Sequence, residues 1–206
     1  SVKIVTRKPP GGLAGAPLLV QRGISVDNLK EPLLVFEGSA REAIAGFPAN
    51  VNVAVALSLA GIGPDRTRCE IWADPGVTRF IGGSPISREA AWSRMMRQLG
   101  MWQAMGFGFW AVETKATGAF VGEAGFHDLK RDLTPSLEGT LEAGWGFVPA
   151  VHGQGVATEV VAAVLAWGER TRPDMPITCM MDPQNLRSRR VAEKHGFREF
   201  ARTTYH

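Results

Sequence analysis

The stretch from Leu141 to Val161, LEAGWGFVPAVHGQGVATEVV, limits the folds open to this chain more than any other segment. An apolar strand pattern runs into His152-Gly153-Gln154-Gly155, and an amphipathic helix follows at once. Glycines at 153 and 155 let the backbone approach a ligand closely, and the first N–H groups of a helix have no partners within it. The segment therefore predicts an α/β fold with an anion site at a helix start.

The spacing of this loop separates it from two other phosphate loops. It lacks the Gly-Lys-Ser/Thr of a Walker A loop, and it is not the G-x-G-x-x-G of dinucleotide-binding proteins. A glycine-rich turn without a ligand is the alternative that the loop alone leaves open.

Composition narrows the class of protein. The chain has 206 residues, 45% hydrophobic and 21% charged, which is typical of a soluble globular protein. No apolar run reaches the roughly 18 residues of a membrane span, and the start does not resemble a signal peptide. Two isolated cysteines, Cys69 and Cys179, favour a cytoplasmic setting and no metal site. The net charge of +3 does not predict nucleic-acid binding. The local cluster of Arg187, Arg189 and Arg190 is either a solvated face or a partner for a phosphorylated ligand.

Hydrophobic periodicity and capping residues predict the elements of secondary structure. Strands are expected at 2–8, 33–37, 67–73, 107–114, 119–126, 141–148, 177–181 and 197–204. Helices are expected at 40–46, 51–60, 88–100, 157–170 and 187–195. The helix at 88–100 should present an apolar face made of Ala91, Trp92, Met95, Met96 and Leu99.

Several motifs in the later part of the chain occur in the same order as in a known superfamily. The x-x-G-x-G-x-A loop of residues 151–157 is followed by N-x-x-S-x-x-x-x-E-K-x-G-F from Asn185 to Phe197. GFGFWAV at 106–112 and FVGEAGF at 120–126 precede them. Residues 77–206 resemble the GNAT superfamily, in the branch of ribosomal-protein-alanine N-acetyltransferases. The resemblance implies an α/β (α+β) fold, with a mixed, mostly antiparallel sheet flanked by helices and splayed at the phosphate loop.

The same resemblance implies acetyl-CoA as co-substrate and an unknown amine as acceptor. Glu142 is expected as the catalytic base, with Glu123 second, and Ser188 as hydrogen-bond donor to the CoA sulfur. Each of these has a structural alternative: a solvated strand charge for the carboxylates, and a helix residue without ligand contact for the serine. His127 and His152 are more simply loop residues than bases, and Asn185 could instead cap its helix. The residues expected to bind acetyl-CoA are Trp145, Phe147, Val148, His152, Gly153, Gln154, Gly155, Val156, Ala157, Thr158 and Asn185.

The first third of the chain has a different resemblance. FEGSAREAIAGFPANVNVAVALSLAGIGPDRTRCEIWADPGVTR, at residues 36–79, is similar to the catalytic domain of the L-aspartate dehydrogenase family, as is KIVTRKPPGGL at 3–13. That domain carries the dicarboxylate site and a dimer sheet. No G-x-G-x-x-G precedes Lys3, and Phe80-Ile81-Gly82 stands where the family has its catalytic histidine. Dehydrogenase chemistry is therefore not expected.

We expect a chimera of residues 1–76 and residues 77–206. The first part should contribute a β-α-α-β fragment, either as a separate layer or by donating 67–73 in place of the missing first GNAT strand. The last GNAT strand is also missing, and an unpaired strand edge favours a homodimer. The expected function is that of an acetyl-CoA-binding N-acyltransferase that transfers an acetyl group to a primary amine, with weak or lost activity. A non-catalytic chimera, an aspartate dehydrogenase fragment without redox activity, and a natural acetyltransferase with a diverged start are the alternatives.

Overall fold

The computed structural model describes residues 70–114 and 117–205, and the backbone of residues 2–7 and 53–56. These residues form seven strands: β1 (Val2–Arg7), β2 (Val53–Ala56), β3 (Phe109–Thr114), β4 (Phe120–His127), β5 (Leu141–Phe147), β6 (Ile177–Met181) and β7 (Arg198–Thr203). They also form the α-helices α1 (Pro75–Thr78), α2 (Arg88–Met105), α3 (Val156–Thr171) and α4 (Leu186–Lys194). Single 3-10 turns lie at Ile71–Ala73 and Pro149–Val151.

The strands form one sheet in the order β2-β3-β4-β5-β6-β1-β7. All neighbours are antiparallel except β5 and β6, which run parallel. The parallel ladder covers only Leu141–Ala143 against Ile177–Cys179, and beyond it the two strands diverge. The expected mixed, mostly antiparallel sheet is confirmed, and so is its opening toward the glycine loop.

Helix α2 begins where the sequence predicts but runs further. The Ser87 hydroxyl oxygen accepts a hydrogen bond from the Ala90 N–H at 3.1 Å, and Gly106 ends the helix in the left-handed conformation. Burial of Trp102 offsets the cost of about 1 kcal/mol that Gly100 imposes inside a helix. The predicted apolar face is wrong at Trp92, whose side chain is 43% exposed, because the helix packs through Ala91 and Trp102.

The main core lies between the sheet and α3. The rings of Trp102, Trp110 and Trp167 meet edge to face, with centroids 4.9 to 5.7 Å apart. A side chain at Gly168 would overlap the Phe126 ring, so this glycine lets α3 approach the sheet closely. Close packing here holds the start of α3 beside the diverging ends of β5 and β6.

Two predicted elements of the first third are wrong within the described residues. A helix was expected at 51–60, but Val53–Ala56 forms β2, antiparallel to β3. Valine alternates with smaller residues in V-N-V-A-V-A, and this pattern of β-branched residues suits a sheet edge better than a short helix. The prediction misread the period of the segment.

A strand was expected at 67–73, but Ile71–Ala73 forms a 3-10 turn. Ile71 and Trp72 are both buried, whereas a strand with one solvent-facing side buries only alternate residues. Asp74 then caps α1 by accepting from the Gly76 N–H at 2.7 Å. This segment therefore does not supply the strand beside β3, and β2 occupies that place. The elements predicted at 33–37 and 40–46 lie outside the described residues.

Strand β1 confirms the strand predicted at 2–8 and has an unexpected position. It lies between β6 and β7 and pairs antiparallel with both, for example Ile4 opposite Met180 and Ala201. One edge of β7 is therefore covered by a strand from the start of the chain. No helix in the described part of the chain is long and apolar enough to cross a membrane.

Candidate functional site

A cleft of about 770 Å³ opens where β5 and β6 diverge. Its walls are the end of β5, the glycine loop with the start of α3, the first turns of α4, and α1 with the turn that follows it. The volume lies in the range typical of sites for small ligands. The topology of the sheet thus creates a preformed site at its only parallel junction among the described strands.

The glycine loop joins a 3-10 turn to α3. Gly153 and Gly155 have φ of 78° and 84°, in the left-handed region that favours glycine. A Cβ at either position would have no atom within 4 Å, so the space in front of the loop is open. The first hydrogen bond of α3 runs from the Glu159 N–H to the Gly155 carbonyl, and Gly155 offers no side-chain cap. The N–H groups of Val156, Ala157 and Thr158 precede that bond, and they form an anion seat.

The end of β5 exposes a strand edge to the cleft. The Val148 N–H donates to the Val121 carbonyl of β4 at 2.9 Å. Because consecutive residues of a strand point their backbone groups to opposite edges, those of Phe147 and Trp145 face the cleft. Within the described residues, β6 pairs with β5 only as far as Ala143. One acceptor on this edge is used, since the Phe147 carbonyl lies 3.0 Å from His152 Nε2.

The start of α4 forms the wall opposite the glycine loop. The Asn185 side chain accepts from the Ser188 N–H at 3.1 Å, so Asn185 caps the helix, which was one of its two expected roles. Both residues also line the cleft. The Arg187 guanidinium reaches across to His152, with Nη1 2.7 Å from Nδ1.

Glu142 lies at the closed end of β5, away from the cleft. It is 4% exposed and accepts two hydrogen bonds from Arg131, at 3.0 and 3.2 Å. His127 Nε2 lies 2.9 Å from Glu142 Oε1, within ion-pair distance but without the alignment of a hydrogen bond. The ring of Tyr205 stacks against the Arg131 guanidinium, with 4.7 Å between the Arg131 Cζ and the ring centroid.

Electrostatics hold Glu142 in its charged form. Burial by itself would raise the pKa of this carboxyl group, but the contacts and positive charges of His127 and Arg131 outweigh burial and lower the pKa. The second carboxylate considered, Glu123, is also buried and accepts hydrogen bonds from Arg94 and Gln98. Both carboxylates are thus paired on the α2 side of the sheet.

Most of the residues expected to bind acetyl-CoA come together in the cleft. The lining includes Trp145, Phe147, His152, Gly153, Gly155, Val156, Ala157, Thr158, Asn185 and Ser188. Three expected residues are not part of it. Glu142 is buried elsewhere, the Val148 N–H is paired with β4, and the Gln154 side chain turns back to the Ala150 carbonyl at 2.8 Å.

Sequence reasoning missed one wall of the cleft. Gly76, Val77, Arg79, Phe80 and Ile81 line it from the side of α1. Nothing in the local sequence pattern points to this role, because the contact depends on Trp72 and Ile81 packing near Gly146 of β5. Lys194, one turn beyond Arg190 on α4, was also missed, although its spacing from Arg187 and Arg190 places all three on one helix face.

A mixed sheet that opens into a cleft beside a glycine loop and a helix start defines the fold class as α/β. Residues 64–198 match the acetyltransferase (GNAT) domain family, and residues 1–82 match the family described as aspartate dehydrogenase, C-terminal. The first match spans more than half of the chain, so this protein belongs to the GNAT acetyltransferase domain family. Both expected resemblances are confirmed, and the two matches overlap at 64–82, which includes α1 and its wall of the cleft.

Individual relatives also fall into two groups, one similar to the start of the chain and one similar to the rest. L-aspartate dehydrogenase 3 of Bordetella bronchiseptica is 60% identical over 95 residues, which are 46% of this chain and 35% of that protein. The chain thus spans about a third of the length of the curated relatives it matches. A Bordetella pertussis protein assigned to the GNAT-family acetyltransferases is 29% identical, with 68% of this chain and 84% of that one covered and a TM-score of 0.58.

A Salmonella typhimurium protein solved with its cofactor acetyl-CoA has the same fold. It is 19% identical, with 72% of this chain and 80% of that one covered and a TM-score of 0.53.

Proposed function

We propose that this protein binds acetyl-CoA in the cleft between β5 and β6 and transfers the acetyl group, slowly, to a primary amine. The observation that carries the proposal is the open cleft bordered by the glycine loop and the start of α3. The Salmonella typhimurium protein of the same fold, which holds acetyl-CoA, supports it.

The cleft offers two kinds of contact that suit such a donor. The diphosphate would bind the N–H groups at the start of α3, where the helix dipole favours negative charge. The amide-containing pantetheine arm would pair with the open edge of β5 at Trp145 and Phe147, as an added strand does. The His152 contact already occupies the Phe147 carbonyl, so the arm would pair chiefly through the Phe147 N–H and the Trp145 groups.

Transfer would proceed without a covalent enzyme intermediate, because a thioester is already an activated acyl group. The amine nitrogen attacks the thioester carbonyl carbon, the C–S bond breaks, the amine gives up a proton, and the thiolate takes one. Ser188 is our candidate to donate to the sulfur. It lines the cleft, and the Asn185 cap holds its backbone in place.

Glu142 meets the requirements of a base poorly in this geometry. Its carboxylate is buried, held by Arg131 and lowered in pKa, whereas an efficient base has a pKa near the working pH. The described lining of the cleft contains no Asp or Glu. We therefore propose that acetyl-CoA binding is retained while transfer is slow, because the described lining offers no carboxylate to take the amine proton.

Calorimetry with acetyl-CoA, free CoA and NADP tests the binding step. Gly155→Asp adds a negative charge in front of the anion seat and should weaken CoA binding at least about a hundredfold. Gly155→Ala carries the same backbone strain without the charge, and Gly139→Asp adds an aspartate at another open glycine with positive φ. If Gly155→Asp binds acetyl-CoA as tightly as these controls, the site is assigned wrongly.

Thiol release from acetyl-CoA tests the chemical step, with an N-terminal peptide and a polyamine as acceptors. We expect weak release that falls about tenfold or more in Ser188→Ala, while the Kd for acetyl-CoA stays unchanged. Binding without any release would favour the alternative of a non-catalytic chimera. NADP binding with aspartate-dependent reduction of the nicotinamide would instead favour a dehydrogenase-derived function.

A further inference from the structure

One face of α4 carries an unbalanced positive charge. Arg187, Arg190 and Lys194 are three and four residues apart, so they share a face, and all three line the cleft. Arg189, on another face, is paired with Glu193 at 2.7 Å. The cleft-facing cations have no carboxylate partner among the described residues. Like charges on one face destabilise a helix, and a cation at its start opposes the dipole, so this arrangement has a cost that a bound anion would remove.

The Arg187 guanidinium is held in a fixed place at the glycine loop. Its Nη1 lies 2.7 Å from His152 Nδ1. An arginine only donates, so Nδ1 must be the accepting nitrogen of a neutral imidazole. The proton is then on Nε2, which donates to the Phe147 carbonyl at 3.0 Å. His152 thus connects the end of β5 to α4 and holds the guanidinium next to Gly153.

Most of the hydrogen-bond donors of the Arg187 guanidinium are not used by His152. An arginine has five N–H donors, and His152 takes one of them. The glycine loop and the start of α3 already form one anion seat, suited to a diphosphate. A second cationic surface beside it fits a ligand with further negative charge a short distance away. Acyl-CoA has such a group, a phosphomonoester on the ribose 3′ carbon, in addition to its diphosphate.

We propose that the cleft-facing side of α4, with Arg187 positioned by His152, binds the 3′-phosphomonoester of the acyl-CoA donor. The protein would thereby select acyl-CoA over donors that lack this group, such as acyl-dephospho-CoA or an acyl-phosphopantetheine. The proposal rests on the proposed function, because it assigns a second phosphate subsite within the same cleft.

Parallel titration of the full chain with CoA and 3′-dephospho-CoA tests this assignment. The parent should bind CoA about tenfold more tightly or better, as expected for charge-assisted hydrogen bonds to a partly exposed phosphate. In the double variant Arg187→Ala/Arg190→Ala the two ligands should bind with about equal affinity. The affinity for 3′-dephospho-CoA should stay within about twofold of that of the parent. Arg189→Ala, on the paired face, is the matched control and should keep the full preference.

The ratio of the affinities for CoA and 3′-dephospho-CoA also tests the role of His152. His152→Gln keeps a side-chain oxygen that can accept from Arg187, and it should keep a preference for CoA. His152→Leu removes the acceptor, so it should lose most of the preference. A merely structural role would lower affinity for both ligands together in both variants.

The failures of the two proposals are distinguishable. Equal binding of CoA and 3′-dephospho-CoA by the parent overturns the phosphate assignment and leaves the proposed function standing. A preference that survives loss of Arg187 and Arg190 also overturns it. Binding of neither ligand overturns the proposed function, and the subsite with it.

Discussion

Among the described strands, β5 is paired on both edges at Leu141–Ala143, whereas at Trp145–Phe147 it is paired with β4 alone. The first end is closed by β6 and holds a buried carboxylate within a set of cationic and aromatic partners. The other end faces a cleft whose described cations have no carboxylate partner. The closed end of β5 thus belongs to a region whose charges are satisfied within the protein, whereas the other end borders a cleft whose described cations are not paired with carboxylates.

This difference shows why charge alone is a poor guide to the catalytic residue. Glu142 is the carboxylate that the sequence predicts as the base, but its negative charge is already balanced by Arg131. For Arg187 and Arg190 the sequence left open a solvated face or a partner for a phosphorylated ligand, and the structure places both in the lining of the cleft. Pairing within the fold distinguishes charges that are balanced by a neighbouring residue from charges that are not.

The largest expected effect is at the closed end. Glu142→Leu leaves the Arg131 guanidinium buried without its partner, and we expect the free energy of unfolding to fall by about 3–5 kcal/mol. Replacing Arg190 at the open end by Ala should change it by less than about 0.5 kcal/mol. Urea denaturation measures both changes.

The double variant Glu142→Leu/Arg131→Met provides the control. It removes both charges, so it should recover most of the lost stability, since a buried pair replaced by apolar groups is often neutral. A single variant as stable as the parent would show that the closed end is not held by this pair.

Substitutions at two glycines should lower the stability by different amounts, and both losses should be smaller than that of Glu142→Leu. An added methyl group at Gly125 in β4 would overlap the backbone of Gly108, so Gly125→Ala should cost about 2 kcal/mol. At Gly155 the space is open and only the left-handed backbone is penalised, by about 1 kcal/mol. Thermal unfolding compares the two, and equal losses would contradict the assignment of open space to the loop.

The N-cap of α4 should contribute about as much to stability as the backbone strain at Gly155 removes. Asn185→Ala removes the hydrogen bond to the Ser188 N–H and should cost about 1 kcal/mol. Asn185→Asp keeps an accepting oxygen and should retain the stability, although its negative charge faces the cleft and should weaken CoA binding. Unchanged stability in Asn185→Ala would mean that the residue serves the ligand alone.

The smallest expected difference is in how the free energy of unfolding falls at acid pH. The pKa of Glu142 is lowered in the folded protein, so its contribution is fully present above the ordinary glutamate pKa of about 4.3. It is lost as the pH falls through the lower folded-state value. Urea midpoints between about pH 3 and 7 should therefore decline more steeply in the parent than in Glu142→Leu/Arg131→Met. Parallel curves would contradict this sign.

The amino-acid sequence by itself determined the elements with strong local signals. The antiparallel pair β3 and β4, the strand at Ile177–Met181, the glycine loop and helices α3 and α4 follow from periodicity, caps and left-handed glycines. The place of the loop residues in the cleft lining follows for the same reason, because the two glycines and the helix start are adjacent in the sequence.

Only the tertiary structure decided which segments complete the sheet and which charges are free. Val53–Ala56 became a strand beside β3, and Val2–Arg7 lies between two strands from the other end of the chain. Glu142 proved to be paired because Arg131, eleven residues earlier, folds back onto it. Such pairings join residues far apart in the chain, and their free energy comes from burial and satisfied charges, which local pattern does not record.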